Sequence, residues 1–442
     1  MQKIKKYHII TYGCQMNVHE SEKLAGMLEA RGFLQTDDQT EADVIAINTC
    51  CIRQNAENRA LGNLGYIKKI KEQNPSLIVC VFGCMTQAKG AAQELKERCP
   101  FINIIFGTHN LYKFDEYLTR AQNGEKILEI SETEDADKKE KEPVKRTSGV
   151  NAWVNIMYGC DNYCTYCIVP FVRGRERSRE PEKILDEVKK ILASGYKEIT
   201  LLGQNVNSYK AVDKEGNAID FAKLLEQIAV LPYKFRVRFM TSHPKDLSDD
   251  VIKTIAEHPN LPDYFHLPVQ SGSDHVLKLM NRKYTAEHYL NRVETIRKYM
   301  PDAGFSSDIM VGFPGESEQD FEDTLTLIEK VKYHNLFMFI YSPRKGTKAA
   351  EMDGQIEKSV VDPRFKRLLD LQAKIGNQLA EAVVGKEVEV LCDTYDEKTD
   401  TYRGKTTNGK IVSFKSDTNL YGQFVLLKIT SSKNSNLLGE IV

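Results

Sequence analysis

Residues 159–167 read Gly159-Cys160-Asp161-Asn162-Tyr163-Cys164-Thr165-Tyr166-Cys167, and their three cysteines have the spacing C-x3-C-x2-C. Three thiolates on one short loop can each hold one iron of a cubane iron–sulfur cluster. No fourth cysteine lies nearby, whereas clusters that only carry electrons are normally closed by four ligands. An iron left open can bind and activate another molecule, as an open catalytic zinc does. The alternatives are a buried trio of thiols and a structural zinc site, which favours C-x2-C pairs and four closed ligands.

The cysteine loop stands near the start of a block, residues 147–380, in which strand-like and helical runs alternate. The predicted strands are residues 153–157, 198–202, 236–240, 264–267, 305–311 and 336–341. Helical stretches such as residues 181–193 and 318–331 fall between them. Six strand–helix units predict a partial parallel (β/α)6 barrel, whose chemistry gathers at the carboxyl ends of the strands. The cysteine loop follows the first predicted strand and therefore lies at that end.

The flanking blocks complete an α/β chain with a β-rich end. Residues 1–130 alternate strand-like runs (7–12, 44–47, 77–82) with helical runs (21–30, 56–73, 91–98), which predicts an open parallel sheet with helices on both faces. Residues 131–146 are too charged to bury a core and are interpreted as a linker. Residues 383–442 hold short strand-like runs between Gly, Asn and Asp turns and predict a small β-barrel, preceded by a helix at about 363–383.

Three further cysteines each follow a strand-like run of the first block, namely Cys14, Cys50 and Cys84. Because the carboxyl ends of parallel strands share one crevice, these residues can converge and hold a second cluster with one open position. Gly13 and Gly83 precede two of them and would let the backbone approach a ligand closely. Position alone leaves a shared metal and separate buried thiols equally open, with Cys51 as an alternative to Cys50. The remaining cysteines are interpreted as small buried hydrophobes: Cys51, Cys80, Cys99 and Cys392.

Bulk composition narrows the class of protein. The 442 residues carry a net charge of −1, so any binding of nucleic acid must rest on local basic patches. No apolar run approaches the ~20 residues of a membrane span, and the N-terminus lacks the long apolar core of a secretory signal. We therefore predict a cytoplasmic protein without a membrane segment. Ten cysteines in a reducing compartment favour metal binding or catalysis over disulfides.

Basic residues and strand ends provide weaker signals. Arginines at every second position suit phosphate contacts or, equally, a solvated face with acidic partners: Arg173, Arg175 and Arg177. Basic residues near aromatic ones in the last block suit single-stranded RNA: Arg403, Lys405 and Lys410. Gln204 and Asn205 end a strand, and their amides could bind a polar ligand. Gln270 and Asp308 could face a barrel interior, and the turn at Gly312 could approach a nucleoside. The turn after Val311 could instead simply start a helix at Ser317.

The C-x3-C-x2-C loop at the head of a six-unit block resembles the radical S-adenosylmethionine superfamily, and other segments resemble its methylthiotransferase family. These are residues 11–17, 48–50, 83–84, 173–176, 201–207, 241–244, 266–272 and 308–316, while residues 402–406 resemble that family's RNA-binding TRAM barrel. The resemblance implies two 4Fe-4S clusters, an auxiliary cluster on Cys14, Cys50 and Cys84 and a radical cluster on Cys160, Cys164 and Cys167. It implies that S-adenosylmethionine binds near Gln204, Asn205, Ser242, Gln270, Asp308 and Gly312. It also makes tRNA the expected partner of Arg173, Arg175, Arg177, Arg403, Lys405 and Lys410.

Residues 50–53 and 280–284 resemble the branch of that family that modifies isopentenylated adenosine beside the anticodon of tRNA. The implied reaction adds a methylthio group to carbon 2 and uses two S-adenosylmethionine molecules per turnover, one to methylate a sulfur and one to generate a radical. The implied partners are the tRNA anticodon stem-loop and a flavodoxin- or ferredoxin-type reductant, and we expect a monomer. Alternative substrates within the family are threonylcarbamoyl-adenosine in tRNA and an aspartate of a ribosomal protein. Outside the family, the alternative is an electron-transfer or RNA-binding protein without chemistry of its own.

Overall fold

A computed structural model of the chain describes residues 4–51, 54–131 and 142–442. Most of the predicted linker and two residues of the 50–53 segment lie outside these ranges. The chain divides into two compact units, which we describe separately. The first comprises Met1–Thr147, Tyr158–Asp161 and Cys167–Glu176, and the second comprises Ser148–Met157, Asn162–Tyr166 and Arg177–Val442. In the described part of the chain, no helix combines the length and apolarity needed to cross a bilayer.

The first unit contains a six-stranded parallel sheet in the order β2-β1-β3-β4-β5-β6. Its strands are β1 (Lys6–Thr11), β2 (Leu34–Gln35), β3 (Val44–Thr49), β4 (Ile78–Gly83), β5 (Ile104–Phe106) and β6 (Ile127–Glu129). The three predicted strands are confirmed as β1, β3 and β4. The strands β2, β5 and β6 were not predicted, because runs of two or three residues are too short to show periodicity.

Helices cover both faces of this sheet, as predicted. They are α1 (Gln15–Ala30), α2 (Gln54–Gln73), α3 (Cys84–Gln87), α4 (Ala91–Arg98), α5 (Phe114–Gln122) and α6 (Val169–Arg173). One face buries Leu24 and Leu28 of α1 with Leu118 of α5. The opposite face buries Leu64 of α2 and Leu95 of α4. Because both faces are covered, the middle strands β3 and β4 are buried along their whole length.

The described end of the predicted linker packs against α1. The backbone N–H of Lys145 donates to the carbonyl oxygen of Glu22 at 3.0 Å, and the Thr147 hydroxyl donates to the Glu22 carboxylate at 2.8 Å. A Cβ on Gly26 would lie 2.3 Å from the carbonyl oxygen of Pro143. Residues 142–147 therefore pack against the rest of the first unit despite the charged composition of the segment, because their polar groups form hydrogen bonds with α1.

The second unit begins with six parallel strands arranged as two sheets, β13-β10-β7 and β14-β15-β16. These strands are β7 (Asn151–Asn155), β10 (Glu198–Leu202), β13 (Arg236–Phe239), β14 (Tyr264–His266), β15 (Gly304–Val311) and β16 (Asn335–Ile340). All six match predicted strands, and their strand–helix alternation is that of the predicted partial barrel, although hydrogen bonding divides the strands into two three-stranded sheets. Short strands complete the block: β8 (Met157–Tyr158), β9 (Arg177–Ser178), β11 (Lys210–Val212) and β12 (Ala218–Asp220).

The helices of the second unit alternate with those strands. They are α7 (Pro181–Ala193), α8 (Phe221–Ala229), α9 (Asp249–Glu257), α10 (Asp274–Leu279), α11 (Ala286–Tyr299), α12 (Glu318–Val331) and α13 (Lys358–Glu381). Helix α13 begins before Pro363, which was the predicted start. Pro363 therefore lies inside the helix, where its lack of an N–H removes one intrahelical hydrogen bond. Along β15, Phe305 and Ile309 join the core shared with the helices, so the alternate residue Asp308 points to the other face of the sheet.

The chain ends in a closed five-stranded barrel in the order β17-β18-β19-β21-β20. Its strands are β17 (Glu387–Asp396), β18 (Thr401–Lys405), β19 (Ile411–Phe414), β20 (Phe424–Lys433) and β21 (Asn436–Ile441). The predicted small barrel is therefore confirmed, but it forms one compact unit with the central block. Arg238 donates to the carbonyl oxygen of Thr406 at 2.9 Å, and Asn408 donates to that of Asp302 at 3.3 Å.

Candidate iron–sulfur and cofactor sites

The first cysteine set lies at neighbouring strand ends. In the register of the sheet, Thr11 pairs with Asn48, and Thr49 pairs with Gly83, so the next residues Cys50 and Cys84 emerge side by side. Cys14 follows β1 and directly precedes α1, at the N-cap position. The order β2-β1-β3-β4 reverses direction between β1 and β3, which is where open α/β sheets form their ligand crevice.

Gly13 and Gly83 permit close packing between these strand ends. A Cβ on Gly13 would lie 2.9 Å from the Cβ of Cys50. Gly83 has φ +108°, and a Cβ there would lie 2.5 Å from both the Asn48 Oδ1 and the Thr49 carbonyl oxygen. Gly13 and Gly83 were predicted to make room for a ligand. In the structure, their lack of a side chain makes room for the neighbouring strand end.

Replacing Gly83 by alanine is expected to destabilise the protein. The positive φ alone costs a non-glycine residue roughly 1–3 kcal/mol, and the overlap with backbone atoms adds to it. Urea unfolding of the cluster-free protein measures the change. Gly65→Ala is the matched control, because Gly65 lies in α2 with open space around it and alanine should stabilise a helix there by about 0.5–1 kcal/mol. Equal stability of the two variants would contradict the packing argument.

A fourth thiol joins the first cysteine set. Cys51 is buried and hydrogen-bonded to Cys84. This bond is the main cause that lowers the pKa of Cys84 to about 7; burial opposes the shift and the charge of Arg173 assists it. The bond correspondingly raises the pKa of Cys51, and burial and negative charge on Cys84 raise it further. Arg173 thus assists ionisation of Cys84, and the thiolate is the form that binds metal.

Arg173 supplies the positive charge of this site. Its side chain is 6% exposed; Nη1 donates to Glu20 Oε1 at 2.7 Å and Nη2 donates to Asn17 Oδ1 at 3.0 Å. Burial lowers its pKa, but negative charge on Cys84, Glu20 and Cys14 outweighs burial and holds that pKa well above the usual value. The prediction that Arg173 contacts RNA is wrong, because its guanidinium is buried and engaged within the protein.

Two asparagines that the sequence analysis did not single out tie the strand ends together. Asn17 Nδ2 donates to the Tyr12 carbonyl oxygen at 3.1 Å, to Asn48 Oδ1 at 3.0 Å and to the Thr49 carbonyl oxygen at 3.1 Å. Asn48 Nδ2 in turn donates to the Asn17 carbonyl oxygen at 2.8 Å. Both residues belong to the segments that resemble the methylthiotransferases, which was the only signal in the sequence that could have identified them.

The C-x3-C-x2-C loop contributes to both units. In the first unit, the Cys160 N–H donates to the Gly174 carbonyl oxygen at 3.2 Å, and Arg175 forms a two-pronged bond with Asp161 at 2.7 and 3.1 Å. In the second unit, the Thr165 N–H donates to the Met280 carbonyl oxygen at 3.1 Å. There Cys164, 9% exposed, accepts a hydrogen bond from Arg282 Nη1 at 3.4 Å. Cys167 belongs to the first unit with Cys160.

An iron–sulfur cluster is negatively charged, and both cysteine sets have the donors and the charge that such a group requires. Arg173 acts on Cys84 and Cys14, and Arg282 contacts Cys164; both guanidinium groups are buried and stay protonated. Within residues 4–51, 54–131 and 142–442, no group of three or more His, Cys, Asp or Glu side chains is arranged so that it could hold a metal ion. The fit to a cluster thus depends on thiol chemistry, spacing and charge.

The predicted cofactor residues follow the strands of the second unit. Asn205, after β10, donates to Asp246 Oδ2 at 2.7 Å, while its own Oδ1 is buried without a hydrogen-bond partner. Gln270, after β14, has φ +74° and exchanges backbone hydrogen bonds of 2.9 Å with Asp308 and Met310 of β15. Gln204 and Ser242 occupy the corresponding positions after β10 and β13. A buried amide oxygen that lacks a partner indicates a polar ligand at this end.

Gly312 has a packing role as well. A Cβ there would lie 2.6 Å from a methyl group of Val361 in α13, and its N–H donates to Glu316 Oε2 at 2.9 Å. The alternative prediction for this turn is confirmed, since α12 starts directly after Ser317 with a reciprocal cap between Ser317 and Asp320. The prediction that Gly312 approaches a nucleoside remains a prediction.

The basic residues of the terminal barrel differ in accessibility. Arg403 is half exposed, with Asp396 4.0 Å away, and Lys405 is similarly exposed and paired with Asp393 at 2.8 Å. The Lys410 ammonium instead donates to the Leu379 carbonyl oxygen at 3.3 Å, and burial lowers its pKa. The predicted RNA contact by Lys410 remains a prediction. Of the predicted arginines beside the cysteine loop, Arg175 is 76% exposed and Arg177 is half-buried in β9.

Comparisons with known proteins place these features in a family. Residues 154–328 match the radical SAM superfamily, and residues 6–107 match the group described as "Uncharacterized protein family UPF0004". The chain is 49% identical over 439 residues to the tRNA-2-methylthio-N(6)-dimethylallyladenosine synthase of Clostridium botulinum (strain Okra / Type B1), covering 99% of this chain and 97% of that protein. The chain belongs to this synthase family, within the radical SAM methylthiotransferases. The synthase of Thermoanaerobacter pseudethanolicus (strain ATCC 33223 / 39E) is also 49% identical, with coverage of 99% and 92%.

Solved structures give the same fold at much lower identity. The radical S-adenosylmethionine methyltransferase TsrM from Kitasatospora setae, solved with cobalamin and a 4Fe-4S cluster, has a TM-score of 0.55 at 12% identity and covers 79% of this chain and 77% of its own. The cobalamin-dependent radical enzyme OxsB has a TM-score of 0.53 at 13% identity, with coverage of 84% and 56%. These similarities confirm the predicted radical SAM fold and carry no conclusion on chemistry.

Proposed function

We propose that this member of the synthase family holds two 4Fe-4S clusters and uses them to add a methylthio group to carbon 2 of isopentenylated adenosine in tRNA. Its activity as a radical SAM tRNA methylthiotransferase is shown by the 48–49% identity to the named synthases over nearly the whole chain. The single structural observation that carries the two-cluster proposal is the pairing of each cysteine set with its own buried arginine.

The chemistry of the reaction explains why two sites are needed. The target C–H bond is aromatic and has no leaving group, so acid–base chemistry cannot replace the hydrogen by sulfur. When bound, one cluster supplies the electron that cleaves S-adenosylmethionine and the other supplies sulfur. In the proposal, Cys14, Cys50 and Cys84 hold the auxiliary cluster in the first unit. Cys160, Cys164 and Cys167 hold the radical cluster on their shared loop.

The chain's own residues hold and orient these groups. Asn17 fixes the strand ends that carry Cys14 and Cys50, and Arg173 keeps positive charge beside them. In the second unit, the Asn205 amide oxygen offers a buried acceptor to S-adenosylmethionine. His266 Nε2 lies 3.8 Å from Asp308 Oδ2, and burial lowers the pKa of His266, so a neutral imidazole lies beside the Asp308 side chain. Both can orient polar groups of the cofactor without delivering a proton to it.

The experiment compares substrates with purified, reconstituted enzyme. Isopentenylated tRNA should gain methylthio groups, and threonylcarbamoylated tRNA from the same organism should not. Mass spectrometry of the nucleosides measures both, and 5′-deoxyadenosine is quantified in the same samples. Methylthiolation of the threonylcarbamoylated tRNA alone would contradict the substrate assignment. Absence of 5′-deoxyadenosine with S-adenosylmethionine and dithionite would instead favour the electron-transfer or RNA-binding alternative.

We propose that exposed basic side chains of both units contact the anticodon stem-loop, namely Arg175, Arg403 and Lys405, together with the half-buried Arg177. A strong reductant of the flavodoxin or ferredoxin class would supply the electron. The family's tRNA substrate and the absence of a membrane-crossing helix among the described residues support a cytoplasmic location. We expect the protein to act as a monomer, which sedimentation of the cluster-loaded protein would test.

Replacing Arg403 by alanine is expected to weaken tRNA binding and to reduce the slope of log affinity against log salt by about 1, because one phosphate contact is lost. Filter binding across a range of potassium chloride concentrations measures the slope. Lys253→Ala is the control, since Lys253 is a similarly exposed cation on α9, outside the terminal barrel. An Arg403→Ala slope equal to that of the control would exclude Arg403 from the footprint.

A further inference from the structure

Arg282 lies between α10 and α11 and is buried, with 8% of the residue exposed. Nη1 donates to Cys164 Sγ at 3.4 Å, Nη2 donates to the Pro268 carbonyl oxygen at 2.7 Å, and Nε donates to the Tyr284 hydroxyl at 3.0 Å. The Tyr284 ring lies 5.2 Å from the guanidinium carbon. The Tyr284 hydroxyl is itself anchored to the Val269 carbonyl oxygen at 2.9 Å. The guanidinium is therefore held in one orientation, with one N–H aimed at the sulfur.

In the described part of the chain, the groups around Arg282 leave only the Cys164 position to balance the positive charge of the guanidinium. Among the residues that the structure describes, no carboxylate forms an ion pair with it; the groups that favour its charged form are Tyr284, Tyr166 and Cys164. Burial raises the pKa of Tyr284, so that phenol is neutral at ordinary pH. A buried charge without a counter-charge is strongly unfavourable. The Cys164 sulfur, which Arg282 Nη1 contacts at 3.4 Å, is the position at which a bound cluster would supply that counter-charge.

Arg173 provides a contrast in the first unit. It is buried to the same degree and acts on Cys84 and Cys14, but it forms an ion pair with Glu20 at 2.7 Å. The first cysteine set thus receives a guanidinium together with its carboxylate, and Cys164 receives a guanidinium alone. The two cysteine sets differ in the net charge that the protein places beside them.

We propose that Arg282 is a positioning residue of the radical cluster, fixing the Cys164 thiolate and raising the cluster's reduction potential through its uncompensated positive charge. This inference rests on the proposed function, which assigns Cys164 to that cluster. Reduction adds one electron and makes the cluster more negative, so a nearby positive charge and an N–H···S hydrogen bond stabilise the reduced state. Removing the charge lowers the potential and makes the cluster harder to reduce. Arg173, paired with Glu20, has a smaller effect of this kind on the auxiliary cluster.

The test uses the full chain with Cys14, Cys50 and Cys84 replaced by alanine, so that only the radical cluster is present. Redox titration followed by electron paramagnetic resonance compares this protein with its Arg282→Gln and Arg297→Gln derivatives. At a fixed potential, Arg282→Gln should lower the ratio of reduced to oxidised cluster about tenfold, which is about 59 mV for one electron. Arg297 is the matched control, because it packs over the Phe305 ring at 5.2 Å and donates to a backbone carbonyl of Val331. The control should leave the ratio unchanged.

Arg282→Lys separates charge from geometry. Lysine keeps the charge but loses the planar fork. The reduction potential of Arg282→Lys should therefore stay closer to that of the arginine protein than the potential of Arg282→Gln does. Iron should be lost to a chelator faster from Arg282→Lys than from the arginine protein. Loss of the cluster from Arg282→Gln, with retention in Arg297→Gln, supports the anchoring role, and the lysine derivative then reports the potential. An unchanged midpoint in Arg282→Gln, or an unchanged rate of iron loss in Arg282→Lys, overturns the inference. A triple-alanine protein that holds no iron overturns the proposed function, and the inference with it.

Discussion

Cys160→Ala is expected to abolish cleavage of S-adenosylmethionine, and with it all methylthiolation. Cys160 is one of only three thiols in the C-x3-C-x2-C loop, so alanine leaves two ligands for a cluster that already has an open iron. Loss of a residue that only supports a metal ligand typically costs about 10- to 100-fold, and loss of the ligand itself should cost more. The measurement is 5′-deoxyadenosine formed with dithionite as reductant, together with iron content of anaerobically purified protein.

The control for this variant is Cys99→Ala. Cys99 is half-buried at the end of α4, outside both cysteine sets. It should keep the iron content and the cleavage activity of the parent protein. Cleavage by Cys160→Ala at the rate of this control would refute the assignment of the loop to the radical cluster.

Cys14→Ala is expected to stop methylthiolation while sparing cleavage of S-adenosylmethionine. Cys14 follows β1 in the first unit, where it directly precedes α1, and belongs to the other cysteine set. The variant should lose about half of the bound iron, because one of two 4Fe-4S clusters is missing. 5′-Deoxyadenosine formation and methylthio-adenosine formation are measured on the same isopentenylated tRNA.

Cys50→Ala and Cys51→Ala refine the same test. Cys50 follows β3 directly, whereas Cys51 is one residue further along the chain and is hydrogen-bonded to Cys84. We expect Cys50→Ala to behave like Cys14→Ala and Cys51→Ala to retain sulfur insertion. The opposite pattern would transfer the ligand role to Cys51. Equal loss of cleavage in Cys14→Ala and Cys160→Ala would refute the division of labour between the two sets.

Much of the fold could be predicted because its signals are local. The strand β10 was predicted with the observed bounds, and α4 likewise, since a buried parallel strand and an amphipathic helix each show their periodicity within a few residues. The strand β5, with three residues, carries no such pattern. The cysteine sets could be proposed for the same reason: each thiol follows a recognisable strand, and parallel strands end on one edge.

The roles of the arginines could not be predicted from the sequence. Arg173 sits in a run of alternating arginines that looks like a phosphate-binding stripe, yet it is buried against Glu20, 153 positions away in sequence. Lys410 stands among the basic residues of the terminal barrel, but its ammonium group donates a hydrogen bond to a backbone carbonyl oxygen of α13. The sequence shows that a basic side chain is present. Only its place in the folded protein decides whether that side chain contacts solvent, a carboxylate or a sulfur atom.

The amino-acid sequence by itself determined the spacing of the thiols, the order of strands and helices, and membership of the methylthiotransferase family, because these depend on neighbours in the chain. Only the tertiary structure decided which cation accompanies which thiol. Arg282 meets Cys164 across 118 positions, and the absence of a carboxylate ion pair with Arg282 among the described residues follows from the packing of whole elements. Electrostatic compensation acts through space in a medium of low polarity, so the charge balance at each cysteine set exists only after the chain has folded.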